Sequence, residues 1–234
     1  YDKGSSLDSV AADFRRFRAL GITTWRGSFG WDDYEPAPGR LDLDWLRRFV
    51  ALARREGIAL RPYLGYTPAW AAVGRRADGQ VWNDPPRDPA AWARYAGAIA
   101  AMLRDQPHVR SLELYNEQNV KLWWDGSVAE FATVFGRGAA AVRAAHPTLP
   151  ILPGGLVWAD APWAEATCEA PGNAAYVHAV PVHVYAETWT PDSVTVETFL
   201  GAPFAREFLP AIDAACGAGK EVWINETGFA TTPG

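Results

Sequence analysis

Hydrophobic positions along this chain alternate between a helical period and short β-prone runs. In residues 7–20, Val10, Phe14 and Phe17 recur three and four apart. Ser5 or Ser6 can cap the first turn of that segment, and Gly21 can close its last. This spacing predicts an amphipathic helix. The β-prone run Ile22-Thr23-Thr24-Trp25-Arg26-Gly27-Ser28-Phe29 follows at once. The turn-rich Glu35-Pro36-Ala37-Pro38-Gly39 then leads to Asp42, the expected cap of a helix reaching Glu56. Leu46, Phe49, Val50 and Ala53 give that helix its apolar face, and Gly57 supplies the stop.

The same unit recurs to the end of the chain. Strands are expected at residues 58–64, 109–115, 151–157, 178–185 and 221–225. Between them, Asp88-Pro89 opens a helix with Trp92, Tyr95, Ala96, Ile99 and Leu103 inward, Pro being suited to the first helical position. Ser127 and Glu130 form a capping box for a helix reaching about Ala145. Shorter helices are expected at residues 163–170 and 204–215, the latter in spite of Pro210. Strands alternating with helices imply a parallel sheet with helical crossovers. An open doubly wound sheet accommodates six strands, but the glycine-rich phosphate loop it places after its first strand is missing. The strand-to-helix connections are instead long and rich in Trp, Tyr, Asp, Asn and Pro, as on the active-site face of a (β/α)8 barrel. The expected fold is therefore α/β, a TIM (β/α)8 barrel forming a single domain over residues 1–234. With six strands where a barrel has eight, it is expected to be incomplete at both ends, before strand 1 and after strand 7.

Composition narrows the function classes. The chain is 49% apolar and 21% charged, as in ordinary globular domains, and its net charge of −5 comes without a basic run. Nucleic acid and anionic membrane are poor partners for such a surface. No run approaches the roughly 18 apolar residues of a membrane span. Cys168 and Cys216 fall in separate helical segments without zinc-site spacing, so two unpaired buried thiols are expected, with a disulfide as the alternative. Twelve tryptophans in 234 residues is an excess. Many lie in connections: Trp31, Trp70, Trp82, Trp123, Trp124, Trp158, Trp163 and Trp189. Core packing explains some of them, while broad apolar faces with one polar handle also suit a wet cleft that stacks sugar rings.

Two of the 27 acidic residues stand apart. Glu117 follows the apolar run Leu112-Glu113-Leu114-Tyr115, and Glu226 follows Val222-Trp223-Ile224. In a barrel both end strands on the same face. Paired carboxylates there suit glycoside cleavage, one protonated to donate to the leaving oxygen and one ionised to attack the anomeric carbon. The alternative is that they cap helices or bind a metal; the reading taken requires neither metal nor cofactor.

Asn116-Glu117 and Glu226-Thr227-Gly228 resemble the two catalytic motifs of glycoside hydrolase clan A. The resemblance extends to Trp31 with Glu35-Pro36-Ala37-Pro38-Gly39, to Thr67-Pro68-Ala69-Trp70, and to His183-Val184-Tyr185. It is nearest to family 39, with family 5 second. Family 5 usually has a His near the end of the third strand, where this chain has Tyr63, Gly65 and Tyr66. The resemblance implies a retaining enzyme acting on β-linked oligo- or polysaccharides, with Glu117 as acid/base and Glu226 as nucleophile. It further implies that Asn116 meets the sugar 2-hydroxyl, that Tyr185 and Arg26 hold Glu226, and that His183 lines the same subsite. Two blander readings stay open: Arg26 as the partner of an interior acid such as Glu113, and His183 as a core histidine. Trp31, Trp70, Trp82, Trp123, Trp124, Trp158 and Trp189 complete the candidate substrate contacts. A non-catalytic carbohydrate-binding barrel is the alternative function, and secretion is expected from the substrate class alone.

Overall fold

The computed structural model describes residues 1–74, 79–186, 200–201 and 203–229. Its strands are β1 (Thr24–Trp25), β2 (Ser28–Gly30), β3 (Ala59–Leu60), β4 (Tyr63–Gly65), β5 (Leu112–Leu114), β6 (Ile151–Pro153), β7 (Leu156–Val157), β8 (Ala179–Ala186) and β9 (Glu221–Phe229). Its α-helices are α1 (Leu7–Ala19), α2 (Trp31–Tyr34), α3 (Asp44–Arg55), α4 (Pro89–Leu103), α5 (Val128–Ala145), α6 (Ala161–Glu169) and α7 (Leu209–Cys216). This is a mixed α/β fold with parallel sheets, in the orders β1-β3, β2-β4-β5-β6 and β7-β8-β9.

Three of the expected strands are broken in the middle, at Arg26-Gly27, Arg61-Pro62 and Gly154-Gly155. Proline cannot donate to a ladder, and glycine weakens one. Parallel bridges from Leu60 to Val109 and from Ile151 to Val177 join the pieces, so the strands follow one another in chain order. The series is strongly curled. At about 4.8 Å per neighbour, a flat sheet would hold the first and last of six strands about 24 Å apart. Yet Arg26, between β1 and β2, reaches Glu226 on β9 with an Nη1–Oε2 distance of 2.7 Å.

Helix starts follow local chemistry. Ser6 accepts from Ser9 N, Asp88 from Ala90 N with Pro89 behind it, and Ser127 and Glu130 bond reciprocally. Asp42 lies one residue outside its expected place: Leu43 occupies the cap position of α3, and Asp42 Oδ1 accepts from Asp44 N at 3.3 Å. Pro210 is tolerated because the helix enters through a wider turn, with Leu209 N bonded to Phe204 O five residues back. The core lies between the sheet and these helices. Leu112 and Leu114 of β5 point into it together with Phe131, Phe135 and Val142 of α5, while Phe14 of α1 meets Phe49 of α3 edge-on at 5.7 Å.

The expectation of two unpaired thiols is corrected. Cys168 on α6 is disulfide-bonded to Cys216 on α7, with Cα atoms 5.0 Å apart. Helices that are 48 residues apart in sequence are packed neighbours in space, which sequence spacing does not reveal. Among the described residues, no helix is long and apolar enough to cross a membrane.

Candidate active site

The inner surface of the curled sheet is set by strand alternation. On β5, Leu112 and Leu114 face the helices, so Glu113 faces inward and is buried. On β8, Val182 and Val184 face outward, and His183 and Tyr185 therefore face in. β9 departs from strict alternation. Val182 pairs with Ile224 and His183 with Glu226, which leaves Asn225 as an extra residue. Such a bulge re-aims side chains, and here the consecutive Asn225 and Glu226 both reach interior partners.

Arg26 is the hub. Its Nη1 donates to Glu226 Oε2 at 2.7 Å, and its Nε and Nη2 donate to Glu113 at 3.1 and 2.8 Å. Nη2 also donates to Asn116 Oδ1 at 2.8 Å, and the guanidinium lies 4.8 Å over the Tyr63 ring. Arg26 thus contacts both Glu226 and the interior acid Glu113. Burial opposes its charge, but the Glu113 and Glu226 carboxylates outweigh that, so its pKa rises above the ordinary arginine value. Glu113 also accepts from Gly155 N at 2.7 Å and Asn225 Nδ2 at 2.9 Å. A buried ion pair costs several kcal/mol per ion in desolvation unless its remaining hydrogen-bonding capacity is filled, and here four donors fill it.

The two carboxylates of interest have different neighbours. Glu226 accepts from Arg26 on one oxygen and from the Tyr185 hydroxyl on the other. Burial, and then the hydrogen bond and charge of Glu226, push the Tyr185 hydroxyl above its ordinary pKa, so it remains a donor. Glu117 has φ +49°, follows Tyr115 at φ +100°, and donates its N–H to Gly155 O at 2.9 Å. A left-handed φ costs a bulky residue on the order of 1–3 kcal/mol and tends to occur at functional loops. Glu117 Oε1 lies 2.8 Å from His183 Nδ1. One ligand atom each from Glu117, His183 and Glu226 all lie within 4.8 Å of one another. Three such groups could hold a metal ion. However, both Glu226 oxygens already have donors, one of them a guanidinium, so a cation would have to displace them against like charge. The donor set suits an organic ligand better.

The tryptophans divide. Trp31 and Trp124 are wholly buried and offer no face to a ligand, contrary to expectation. Trp31 Nε1 donates to Glu35 Oε2 at 2.6 Å, and Trp124 packs edge-on against Tyr115 and Phe131. Trp70 Nε1 donates to Glu35 O at 2.7 Å, so the Glu35 turn anchors two indoles as scaffold. Trp158 is partly buried against the core, and its N–H donates to His183 O. Trp82 and Trp123 keep partial exposure and form a cluster with Tyr66, at ring distances of 5.2 and 5.8 Å from it. The Tyr66 hydroxyl reaches that of Tyr63, which lies beneath Arg26. This aromatic wall is therefore continuous with the charged network. Trp189 lies outside the described residues. His183 is fully buried, beneath the carboxylates rather than lining a sugar-contacting surface.

Sequence reasoning missed Asn225, Tyr63, Tyr66 and Gly155, and it treated Glu113 only as a possible partner of Arg26. A lone acid alternating with leucines on a buried strand is a signal that could have promoted Glu113. The Gly154-Gly155 doublet inside a β-prone run is another, because a Cβ on Gly155 would stand 2.1 Å from His183 Nε2. Nothing in sequence announces the bulge at Asn225.

Comparison with known proteins bears on the fold. Residues 3–75 match the family model described as beta-galactosidase, Glyco_hydro_42. No sequence among curated proteins matches the chain. Among solved structures, an exo-beta-1,4-mannosidase from Opitutaceae bacterium strain TAV5 superposes with a TM-score of 0.68 at 24% identity, covering 96% of this chain and 42% of that one. A monomeric beta-xylosidase from Caulobacter crescentus CB15 gives 0.72 at 18% identity, over 95% and 50%. A family 39 glycoside hydrolase from Bacteroides cellulosilyticus WH2 gives 0.68 at 20% identity, over 99% and 48%. The chain spans about half the length of these structures. Its fold is the one they share, and its resemblance to clan A glycoside hydrolases extends from the motifs to the fold and to the family match over the N-terminal third.

Proposed function

We propose that the chain carries the catalytic centre of a retaining glycoside hydrolase acting on β-linked oligo- or polysaccharides. In this reading its curled parallel strands are six of the eight in a (β/α)8 barrel, and residues 1–234 act as one catalytic unit. The observation that carries the proposal is the pair Glu117 and Glu226. Their nearest oxygens are within 4.8 Å, and their donor sets differ. Retaining enzymes hold their carboxyl groups about 5–5.5 Å apart, whereas inverting ones leave about 6.5–9.5 Å for a water.

In the first step an oxygen of Glu226 bonds to the anomeric carbon, and the bond to the leaving oxygen breaks as Glu117 protonates it. In the second step water attacks that carbon and gives its proton to Glu117, and the ester bond to Glu226 breaks. Arg26 and Tyr185 keep Glu226 aimed by donating to its two oxygens. Asn116, whose carbonyl oxygen is engaged by Arg26, turns its amide toward the sugar 2-hydroxyl. Tyr66, Trp82 and Trp123 offer the stacking wall. The names of the structural neighbours, a β-1,4-mannosidase and β-xylosidases, fit a β-linked substrate. The Cys168–Cys216 disulfide fits an oxidising, extracellular setting. A non-catalytic sugar-binding role is disfavoured, because both carboxylates have the donors that catalysis requires.

The test is Glu226→Ala on an aryl β-glycoside. Turnover should vanish, and azide should restore it with release of the α-glycosyl azide. Near-full activity in that variant, or a rescued product of β configuration, would overturn the proposal.

A further inference from the structure

His183 has a place that contact with sugar does not explain. Its side chain is fully buried. Arg26 Nη2 lies 3.3 Å from its Nε2, and a guanidinium offers only N–H groups. Nε2 must therefore present its lone pair, which puts the ring's single proton on Nδ1. That nitrogen faces both carboxylates, at 2.8 Å from Glu117 Oε1 and 3.6 Å from Glu226 Oε2. Glu226 has two further donors, Arg26 and Tyr185, whereas His183 is the side-chain donor seen on Glu117 among the described residues. Gly155 makes this seating possible, since any larger residue there would strike Nε2.

We infer that His183 is a positioning residue for the second half of the reaction. Arg26 holds it as the Nδ1–H tautomer, and its proton orients the Glu117 carboxylate once Glu226 has become an ester. This inference rests on the retaining mechanism proposed above. Having protonated the leaving oxygen, Glu117 is a carboxylate in the glycosyl-enzyme, while Glu226 is a neutral ester and Arg26 is left with Glu113 as its charge partner. Water then gives its proton to Glu117 as it bonds to the anomeric carbon, and the ester oxygen leaves with the electron pair. His183 transfers no proton in either step; it fixes where the accepting lone pair points.

The experiment compares His183→Ala and His183→Asn with wild type on a 2,4-dinitrophenyl β-glycoside that the wild-type enzyme hydrolyses. The leaving group needs no acid, and Glu226 retains Arg26 and Tyr185, so the first step should survive. For His183→Ala, kcat should fall about 30-fold, less than the roughly 10²–10⁴-fold a positioned base contributes. KM should fall in parallel, leaving kcat/KM within about threefold, with a burst of one dinitrophenolate per enzyme and acceleration by azide. His183→Asn, whose amide can donate from near the Nδ1 position, should recover most of kcat. A loss carried equally by kcat and kcat/KM, or no loss of kcat, would overturn the inference.

Should the Ala variant fail to fold, ¹⁵N NMR of the wild-type ring decides instead: a proton on Nδ1 is expected, and a proton on Nε2 overturns the inference. Labelling of Glu226 by a 2-deoxy-2-fluoro glycoside separates the two levels. Absence of labelling sinks the retaining mechanism itself, while labelling with an unaltered His183→Ala kcat sinks only the role of His183.

Discussion

Glu117 and Glu226 are the same residue type, one just past a parallel strand and one within another, yet the protein treats them differently. Glu226 lies inside a hydrogen-bonded strand, turned inward by a bulge, and both of its oxygens are held by donors from other strands. Glu117 lies beyond its strand on a left-handed backbone turn, with one oxygen on a buried histidine. Glu226 is the more exposed, at 32% of its side chain against 13%. The lesson is that two carboxylates of one residue type can be given different donor sets by the strands around them. Glu226 is held by a guanidinium and a phenol, whereas the side-chain donor seen on Glu117 among the described residues is His183.

The largest expected effect probes that contrast directly. Glu226→Ala should lose at least about 10⁴-fold in kcat whatever the leaving group, on the scale seen when one member of a concerted constellation is removed. Glu117→Ala should lose roughly 10²–10⁴-fold on poor leaving groups and far less in kcat/KM on dinitrophenyl glycosides. A series of aryl glycosides checks this, and identical leaving-group dependence in both variants would abolish the distinction. Arg26→Met comes next. It strands the buried Glu113 charge, so unfolding free energy should drop by about 3–5 kcal/mol in urea melts. A loss under 1 kcal/mol would mean that Arg26 is not the hub.

Tyr185→Phe is milder, since Arg26 remains on Glu226. The loss of a hydrogen bond to a charged group, about 1.5–3 kcal/mol, corresponds to a 10- to 100-fold fall in kcat/KM. The smallest effect is on pH dependence. The Tyr185 hydroxyl is raised in the folded chain, first by burial and then by Glu226. Its contribution to stability is thus fully present below about pH 10, the ordinary tyrosine value, and is lost as pH rises from there through the folded value. Melts at pH 9 and 10.5 should show a steeper alkaline loss for wild type than for Tyr185→Phe, and equal slopes would contradict the assignment of that bond.

The legible part of the fold was whatever local chemistry commits. Ser6, Asp88 and the Ser127–Glu130 pair start their helices where capping residues predict, because a cap satisfies backbone N–H groups only a few positions away. The strands were legible as apolar runs, but their interruptions at Arg26, Pro62 and Gly154-Gly155 were not read, although each has a residue that weakens or cannot extend a ladder. The tryptophan excess was legible as a count and misleading as a map: Trp31 and Trp124 went to the core, whereas Trp82 and Trp123 stayed partly open beside Tyr66.

Sequence alone therefore determined the alternation of elements, the parallel sheet and the motif-bearing glutamates, since periodicity and capping act over a few residues. Tertiary structure decided everything that depends on distance across the sheet. It brought Arg26 within 2.7 Å of a residue 200 positions away, joined Cys168 to Cys216, and set His183 between two carboxylates. The physical reason is that curling a parallel sheet turns side chains from distant strands toward one interior, where each charge must find its partner or bear the cost of burial.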